Sequence, residues 1–154
     1  MYLTLLALHS LFRWIALIVL LLSTFIALRG YLAGMPFTTG HNSLRHWTAT
    51  VLHIQLTIGF LLYFASPVIS YYWHQPREER TLHDAGFFAV VHFAMMFIAV
   101  LVASFGSASA KRKRSDVEKF KTMTIFFAIA LIIILLGIPW PFSPWTTRPL
   151  IRPF

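Results

Sequence analysis

Four apolar stretches dominate the 154-residue chain, and each approaches the length that a helix needs to cross a lipid bilayer. A helix crosses a hydrocarbon core of about 30 Å with roughly 20 residues. The stretches run at about 3–28, 48–66, 87–105 and 123–138. Backbone groups in lipid must satisfy one another, and the alternating pattern of a barrel is absent, so the sequence predicts four membrane-spanning helices.

The composition agrees with a membrane location. Hydrophobic residues make up 58% of the chain and charged residues 12%, whereas a soluble domain has about 25% charged residues. The chain contains no cysteine, which excludes disulfides, iron–sulfur clusters and thiolate-bound haem. Although the net charge is +8, the basic residues cluster in one loop at 106–122, which is typical of a topology signal and not of a nucleic-acid-binding face.

The basic residues also predict the orientation. The loop between the first and second spans and the loop between the third and fourth spans carry eight of them: Arg29, Arg45, Lys111, Arg112, Lys113, Arg114, Lys119 and Lys121. The opposite side carries fewer: Arg77, Arg80, Arg148, Arg152 and, ambiguously, Arg13. The positive-inside rule then places the basic loops in the cytoplasm and both termini outside.

The predicted fold is therefore all-α, an integral membrane four-helix bundle with up-down topology and both termini on the outer side. Residues 1–154 form a single domain, and its proline-rich tail at 139–154 cannot continue as a long helix. Trp140 and Trp145 in this tail are expected at the outer membrane interface, where aromatic residues concentrate.

Polar side chains within the spans are the best guide to function, because they are costly in lipid. They are His9 and Arg13 in the first span, His53 and Gln55 in the second, and His92 in the third. A single buried histidine is commonly a hydrogen-bonded packing residue. Three histidines on three helices also suit a non-covalent b-type haem, because helical bundles hold haem through side chains on facing helices.

Depth along the helices selects the histidine pair. Counted at 1.5 Å per residue from the cytoplasmic side, His9 and His92 both lie toward the outer leaflet, so they are the preferred axial pair. His53 lies deeper, which makes a pair of His53 with His92 the second choice. Arg13 shares a helix face with His9, where it could bind a haem propionate or a quinone carbonyl, or extend to the outer interface. Met96, one turn after His92, is expected to serve packing.

Several segments resemble a family of small four-helix membrane proteins of Bacteroidetes-type bacteria that are often labelled cytochrome B-like. The resemblance rests on HSLFRW in the first span, HIQLTIGFLLYF in the second, VHFAMM in the third and IIILLGIPWPF in the fourth, and it covers nearly the whole chain. It implies a multi-pass protein of the bacterial inner membrane. The positions of interest that it implies are His9, Arg13, His53 and His92.

The leading hypothesis is a membrane b-type cytochrome-like electron-transfer protein that holds haem b through intramembrane histidines and exchanges electrons with quinone. One alternative is a non-catalytic accessory subunit of a larger membrane complex, with histidines that serve packing. A second alternative is a membrane porphyrin or quinone oxidoreductase. The expected partners are the lipid bilayer and either other membrane subunits or further copies of the chain, with no nucleic acid.

Overall fold

A computed structural model describes residues 1–143 and Thr146, and within this part the chain is helical and contains no strand. Its helices are α1 Tyr2–Leu32, α2 Thr39–Ala65, α3 Pro67–His74, a 3₁₀ turn Arg77–Glu79, a π-helical turn Phe87–His92, α4 Phe93–Arg112 and α5 Asp116–Gly137. Four of these segments are long and apolar enough to cross a membrane, the third being the π turn together with α4. The prediction of four candidate spans is confirmed.

Two of the long helices begin well before the predicted starts at 48 and 123. α2 begins after Thr38, whose hydroxyl accepts the backbone N–H of His41 while the His41 ring accepts from the Thr38 N–H. α5 begins after Ser115, which forms the same reciprocal arrangement with Glu118. Hydropathy locates only the apolar part of a helix, and these capping boxes extend each helix into polar sequence.

A short helix follows α2 between the second and third spans. α2 ends at Ala65, and Pro67 is the first residue of α3, a position where the N–H that proline lacks would have no partner within the helix. The third span starts with the π turn at Phe87–His92. Such turns are rare and frequently lie at functional sites, because they change the direction in which the following side chains point.

The long helices pack in a cyclic arrangement. α1 packs mainly against α2 and α5, and α4 packs mainly against α5 and α2. α1 and α4 therefore approach each other across the interior instead of sharing an extended helix–helix seam.

One half of the molecule is closely packed and is called here the packed half. It contains the ends of the long helices nearest the loops that join α1 to α2 and α4 to α5. Its buried residues are small, aromatic or methionine: Ala27, Gly30, Ala103, Gly106, Ala110, Phe120, Met123 and Phe127. A Cβ on Gly30 would lie 2.5 Å from the Phe120 ring, so glycine permits this approach of α1 and α5. Small residues at helix interfaces provide van der Waals contact, which is the main attraction between helices in lipid.

The packed half also brings the two basic loops to one end of the molecule. The ring of Phe37, between α1 and α2, lies 4.9 Å from the ring of Phe120, near the start of α5. Arg45 on α2 is buried and donates to both the carbonyl and the hydroxyl of Ser107 on α4, at 2.9 and 2.6 Å. It also donates to the side-chain oxygen of Asn42. The sequence pattern treated Arg45 as a loop charge, whereas it ties α2 to α4.

Candidate functional site

The other half of the molecule encloses a cavity of about 380 Å³, and this half is called the cavity half. All the long helices and α3 contribute to its walls, which are mostly apolar. The volume lies within the range of roughly 300–1,000 Å³ that is usual for small-molecule and cofactor sites. The main polar side chains at its wall are those of His9, Ser10, Arg13, Gln55 and His92.

His9 on α1 and His92 at the end of the π turn meet in this cavity. Their ring centroids lie 6.3 Å apart, and the ring planes are inclined by 78°. The structure therefore brings these two histidines together, which is the pair that the sequence favoured. The cyclic packing explains the meeting, because side chains from α1 and α4 reach toward each other across the interior.

His92 is held by the end of α5. Its Nδ1–H donates to the carbonyl oxygen of Gly137 at 2.7 Å. Gly137 is the last residue of α5, so its carbonyl has no partner within the helix. Since Nδ1 carries the proton in a neutral ring, Nε2 is left with a free lone pair, which can bind a metal or accept a hydrogen bond.

The close approach of α5 to this histidine depends on the glycine. A Cβ on Gly137 would lie 2.5 Å from Cε of Met96, one helical turn beyond His92. Met96 packs against Gly137 and also lines the cavity, so it contributes to the support of His92.

His9 is held by α2. The Gln55 amide nitrogen lies 3.2 Å from Nδ1 of His9 and 3.1 Å from the His9 carbonyl oxygen, and it is also at the 3.5 Å limit from Nε2. An amide NH₂ only donates, so in this arrangement Nδ1 accepts and Nε2 carries the proton. Gly59, one turn further along α2, faces the same ring, and a Cβ there would lie 3.2 Å from Cε1 of His9.

The other end of the Gln55 amide is the unusual feature of the site. Its Oε1 is buried and has no hydrogen-bond partner among the described residues. A buried acceptor without a donor costs free energy, on the order of 1–3 kcal/mol, so such a group in a native structure calls for an explanation. Because Gln55 lines the cavity, a ligand with a donor group would satisfy this oxygen.

Arg13 also lines the cavity, one turn after His9 on the same face of α1. Its guanidinium carbon lies 5.3 Å from the centre of the Trp14 ring. The Trp14 ring in turn contacts Trp140, just after α5, at 6.4 Å between centroids. The positive charge is therefore at the cavity wall and close to an aromatic cluster. Trp145, which was expected at the same interface, lies outside the described residues.

His53 is not brought to the cavity. Its side chain is exposed on the outer face of α2, where Nδ1 contacts the Ala49 carbonyl at 2.7 Å and Nε2 contacts the Ser104 hydroxyl at 3.1 Å. His53 and Gln55 are two residues apart, and at 3.6 residues per turn they point in nearly opposite directions. The structure therefore unites His9, Arg13 and His92 and leaves His53 elsewhere.

Sequence reasoning did not include Gln55, Gly59 and Gly137 in the site. Gln55 was recognisable as a polar residue within a span, which is a signal of function or of a specific contact. A glycine within a span can admit a flat ring or allow a close helix contact, and Gly59 proves to face the His9 ring. The role of Gly137 depends on its carbonyl, for which an amino-acid sequence gives no signal.

Within the part of the chain that the structure describes, no group of three or more His, Cys, Asp or Glu side chains could hold a metal ion on its own. A haem iron needs only one or two protein ligands, because the porphyrin supplies the others. No family model, curated protein or solved structure matches this chain, and the family resemblance of the sequence stays a prediction.

Proposed function

We propose that this multi-pass membrane protein is a b-type cytochrome-like electron-transfer protein that holds haem b between His9 and His92. The observation that carries the proposal is the meeting of these two imidazoles, from helices on opposite sides of the interior, at an apolar cavity. The two ring centroids lie 6.3 Å apart at the cavity wall, where the imidazole nitrogens would hold the haem iron.

The residues fit haem in most respects. Nε2 of His92 has a free lone pair, and its Nδ1–H bond to Gly137 is the kind of support that orients a ligating histidine and raises its basicity. Arg13 supplies a positive charge for a propionate. Bound haem would supply a one-electron centre whose potential depends on its axial ligands, their hydrogen bonds and burial.

His9 fits only with one change. Its Nδ1 accepts from the Gln55 amide, so that Nε2 carries a proton and cannot bind iron. If the amide turned over, Gln55 Oε1 would accept from Nδ1–H and Nε2 would gain the lone pair. Turning the amide over costs free energy, because it removes the hydrogen bond from the Gln55 amide nitrogen to the His9 carbonyl.

A reduced-minus-oxidised visible spectrum of the purified protein tests the proposal. With haem supplied, a low-spin, six-coordinate b-type spectrum with a Soret band is expected once the Gln55 amide has turned over, since His92 and His9 would then each supply a nitrogen ligand. A five-coordinate, high-spin spectrum would mean that His92 ligates alone and that His9 keeps its observed hydrogen bonds. The cytochrome proposal fails if no Soret band appears even after haem is supplied, and the accessory-subunit alternative then gains support.

The Gln55 amide favours a second candidate, which is a quinone site in the same cavity. As arranged, His9 Nε2–H is a donor, His92 Nε2 is an acceptor, and Gln55 Oε1 is an acceptor without a partner. A quinol hydroxyl both donates and accepts, so it complements this set, and the apolar walls suit its ring. The supporting observation is the unsatisfied oxygen, which haem does not use.

A Gln55→Leu variant separates the two candidates. Loss of the amide removes the restraint on His9 Nδ1, so haem binding is expected to persist or to tighten. Quinone binding should weaken by roughly tenfold, since an acceptor and a donor to His9 are both lost. Extraction and quantification of copurified quinone, beside the visible spectrum of the same sample, give both readings at once.

The membrane topology is part of the proposal. We infer that the four long helices cross the bacterial inner membrane in up-down order, with the basic end in the cytoplasm and both termini outside. The support is the gathering of both basic loops at one end of the molecule, because cytoplasmic loops carry the excess of Lys and Arg. The cavity half then lies in the outer leaflet.

A further inference from the structure

The π turn at Phe87–His92 is held by a small hydrophobic cluster of its own, separate from the main core of the bundle. Ile69 and Tyr72 of α3 are buried together with Ala89 in the middle of the turn. Tyr63, near the end of α2, packs against the same cluster and also lines the cavity. The turn is therefore supported by both α2 and α3.

The backbone hydrogen bonds of the turn reveal what the Tyr63 hydroxyl contributes. In a regular α-helix the N–H of Phe93 would bond the carbonyl of Ala89, four residues earlier. Here the Phe93 N–H bonds the carbonyl of Val90 instead. The Tyr63 hydroxyl donates to the Ala89 carbonyl at 3.2 Å. A side chain that bonds a helix carbonyl in this way interrupts the regular ladder of helix hydrogen bonds.

The direction of the Tyr63 hydroxyl is in turn fixed by α3. The indole N–H of Trp73 donates to the Tyr63 oxygen at 3.0 Å. An indole nitrogen only donates, so the hydroxyl accepts from Trp73 and its own proton goes to the Ala89 carbonyl. The Arg80 guanidinium donates to the Trp73 carbonyl at 2.8 Å and lies 5.3 Å from the ring centre. A chain of hydrogen bonds therefore runs from the loop after α3 to the π turn.

Tyr63 contacts the chain on both sides of His92. Its hydroxyl bonds Ala89, three residues before His92, and its ring lies 4.8 Å from the ring of Phe93, the residue that follows. A π turn changes the rotation of the residues before it relative to those after it. With the turn in place, His92 faces the cavity and bonds the Gly137 carbonyl.

We propose that Trp73 and Tyr63 act together as positioning residues for His92 and direct its imidazole toward the cavity. Loss of either hydrogen bond should let the turn relax toward regular α-helical bonding, which rotates the His92 ring. The importance of that rotation for haem rests on the proposed function, in which His92 is an axial ligand. The direction of the ring itself is a property of the protein without haem.

The ring nitrogens of His92 test the proposal in purified protein without haem. In protein labelled with ¹⁵N-histidine, the signals of His92 are those that a His92→Ala variant lacks. Tyr63→Phe, which removes only the hydroxyl, should move or split these signals by more than a linewidth. Trp73→Phe should move them in the same direction by a smaller amount. Tyr71→Phe is the matched control, since it removes the hydroxyl of an exposed tyrosine on α3, and it should leave them in place.

Haem supplied to the same variants gives a second measurement. Tyr63→Phe should bind haem about fivefold more weakly, which is the factor expected for one lost hydrogen bond. Tyr71→Phe should bind haem as the wild type does. If the wild type binds no haem, the proposed function fails, while the His92 signals still decide the positioning role.

Three results would overturn the positioning role. The first is an unchanged set of His92 signals in either Tyr63→Phe or Trp73→Phe, even if the variant is less stable, because a merely structural residue changes stability without turning the ring. The second is an equal change in Tyr71→Phe. The third is undiminished haem affinity in Tyr63→Phe when the wild type binds haem. Should Tyr63→Phe fail to fold, as judged by circular dichroism, the His92 signals of Trp73→Phe decide.

Discussion

The packed half and the cavity half are built from the same four long helices, yet they differ in what fills the space between them. In the packed half, glycine and alanine let the helices approach and fully buried phenylalanine rings fill the interior. In the cavity half, mostly apolar walls with a few histidine, glutamine and arginine side chains surround a volume of about 380 Å³. One half supplies van der Waals packing, while the other gives up packing and leaves a cavity of the size that small-molecule sites have.

The largest effect should follow from His92→Ala, which removes the proposed haem ligand, the imidazole that is hydrogen-bonded to the end of α5. A six-coordinate, low-spin spectrum is expected to be lost or to become high-spin, because no other nitrogen ligand replaces it. His9→Ala should act in the same way, and His53→Ala is the matched control on the outer face. If His53→Ala loses the haem and His9→Ala keeps it, the cavity half does not contain the haem site.

A substitution in the packed half should instead change the stability of the fold. The added Cβ of Gly106→Ala would clash with Cβ of Phe126, which cannot move without its backbone. Overpacking of this kind costs about 1–3 kcal/mol in the free energy of unfolding. Unfolding in a denaturing detergent, followed by circular dichroism, measures the change. A variant as stable as the wild type would mean that the halves do not differ in packing.

The same substitution in the cavity half should cost less. The Cβ of Gly59→Ala would lie 3.2 Å from His9 Cε1, and the ring has free volume into which it can shift. The free energy of unfolding is expected to change by under about 1 kcal/mol, since alanine also favours the helix. The displaced ring should still alter the spectrum or the affinity for the ligand. A loss of stability equal to that of Gly106→Ala would contradict the comparison.

Labelling of single cysteines should disturb the protein least, and it tests on which side of the membrane each end of the molecule lies. Ser115→Cys lies at the basic end and Glu78→Cys in the loop at the opposite end, and both positions are exposed. A membrane-impermeant thiol reagent added to sealed vesicles should reach these two cysteines from opposite sides. Labelling of both from one side would contradict the proposed up-down topology.

Much of this arrangement could be predicted from the sequence. The four spans follow from hydropathy, and the pairing of His9 with His92 follows from counting residues along helices of fixed rise. The helix starts could not be placed by hydropathy, because the capping boxes at Thr38 and Ser115 lie in polar sequence.

The sequence by itself determined that the chain has four helices suited to lipid, because an apolar segment must bond its own backbone there. Only the tertiary structure decided how each helix is rotated about its axis. That rotation turns Gln55 toward His9 and His53 away from it, although both are polar and only two residues apart. The physical reason is that helix rotation depends on where small residues let neighbouring helices approach, as Gly30, Gly59 and Gly137 do here. These approaches are contacts between helices, and the pattern along any single helix does not specify them.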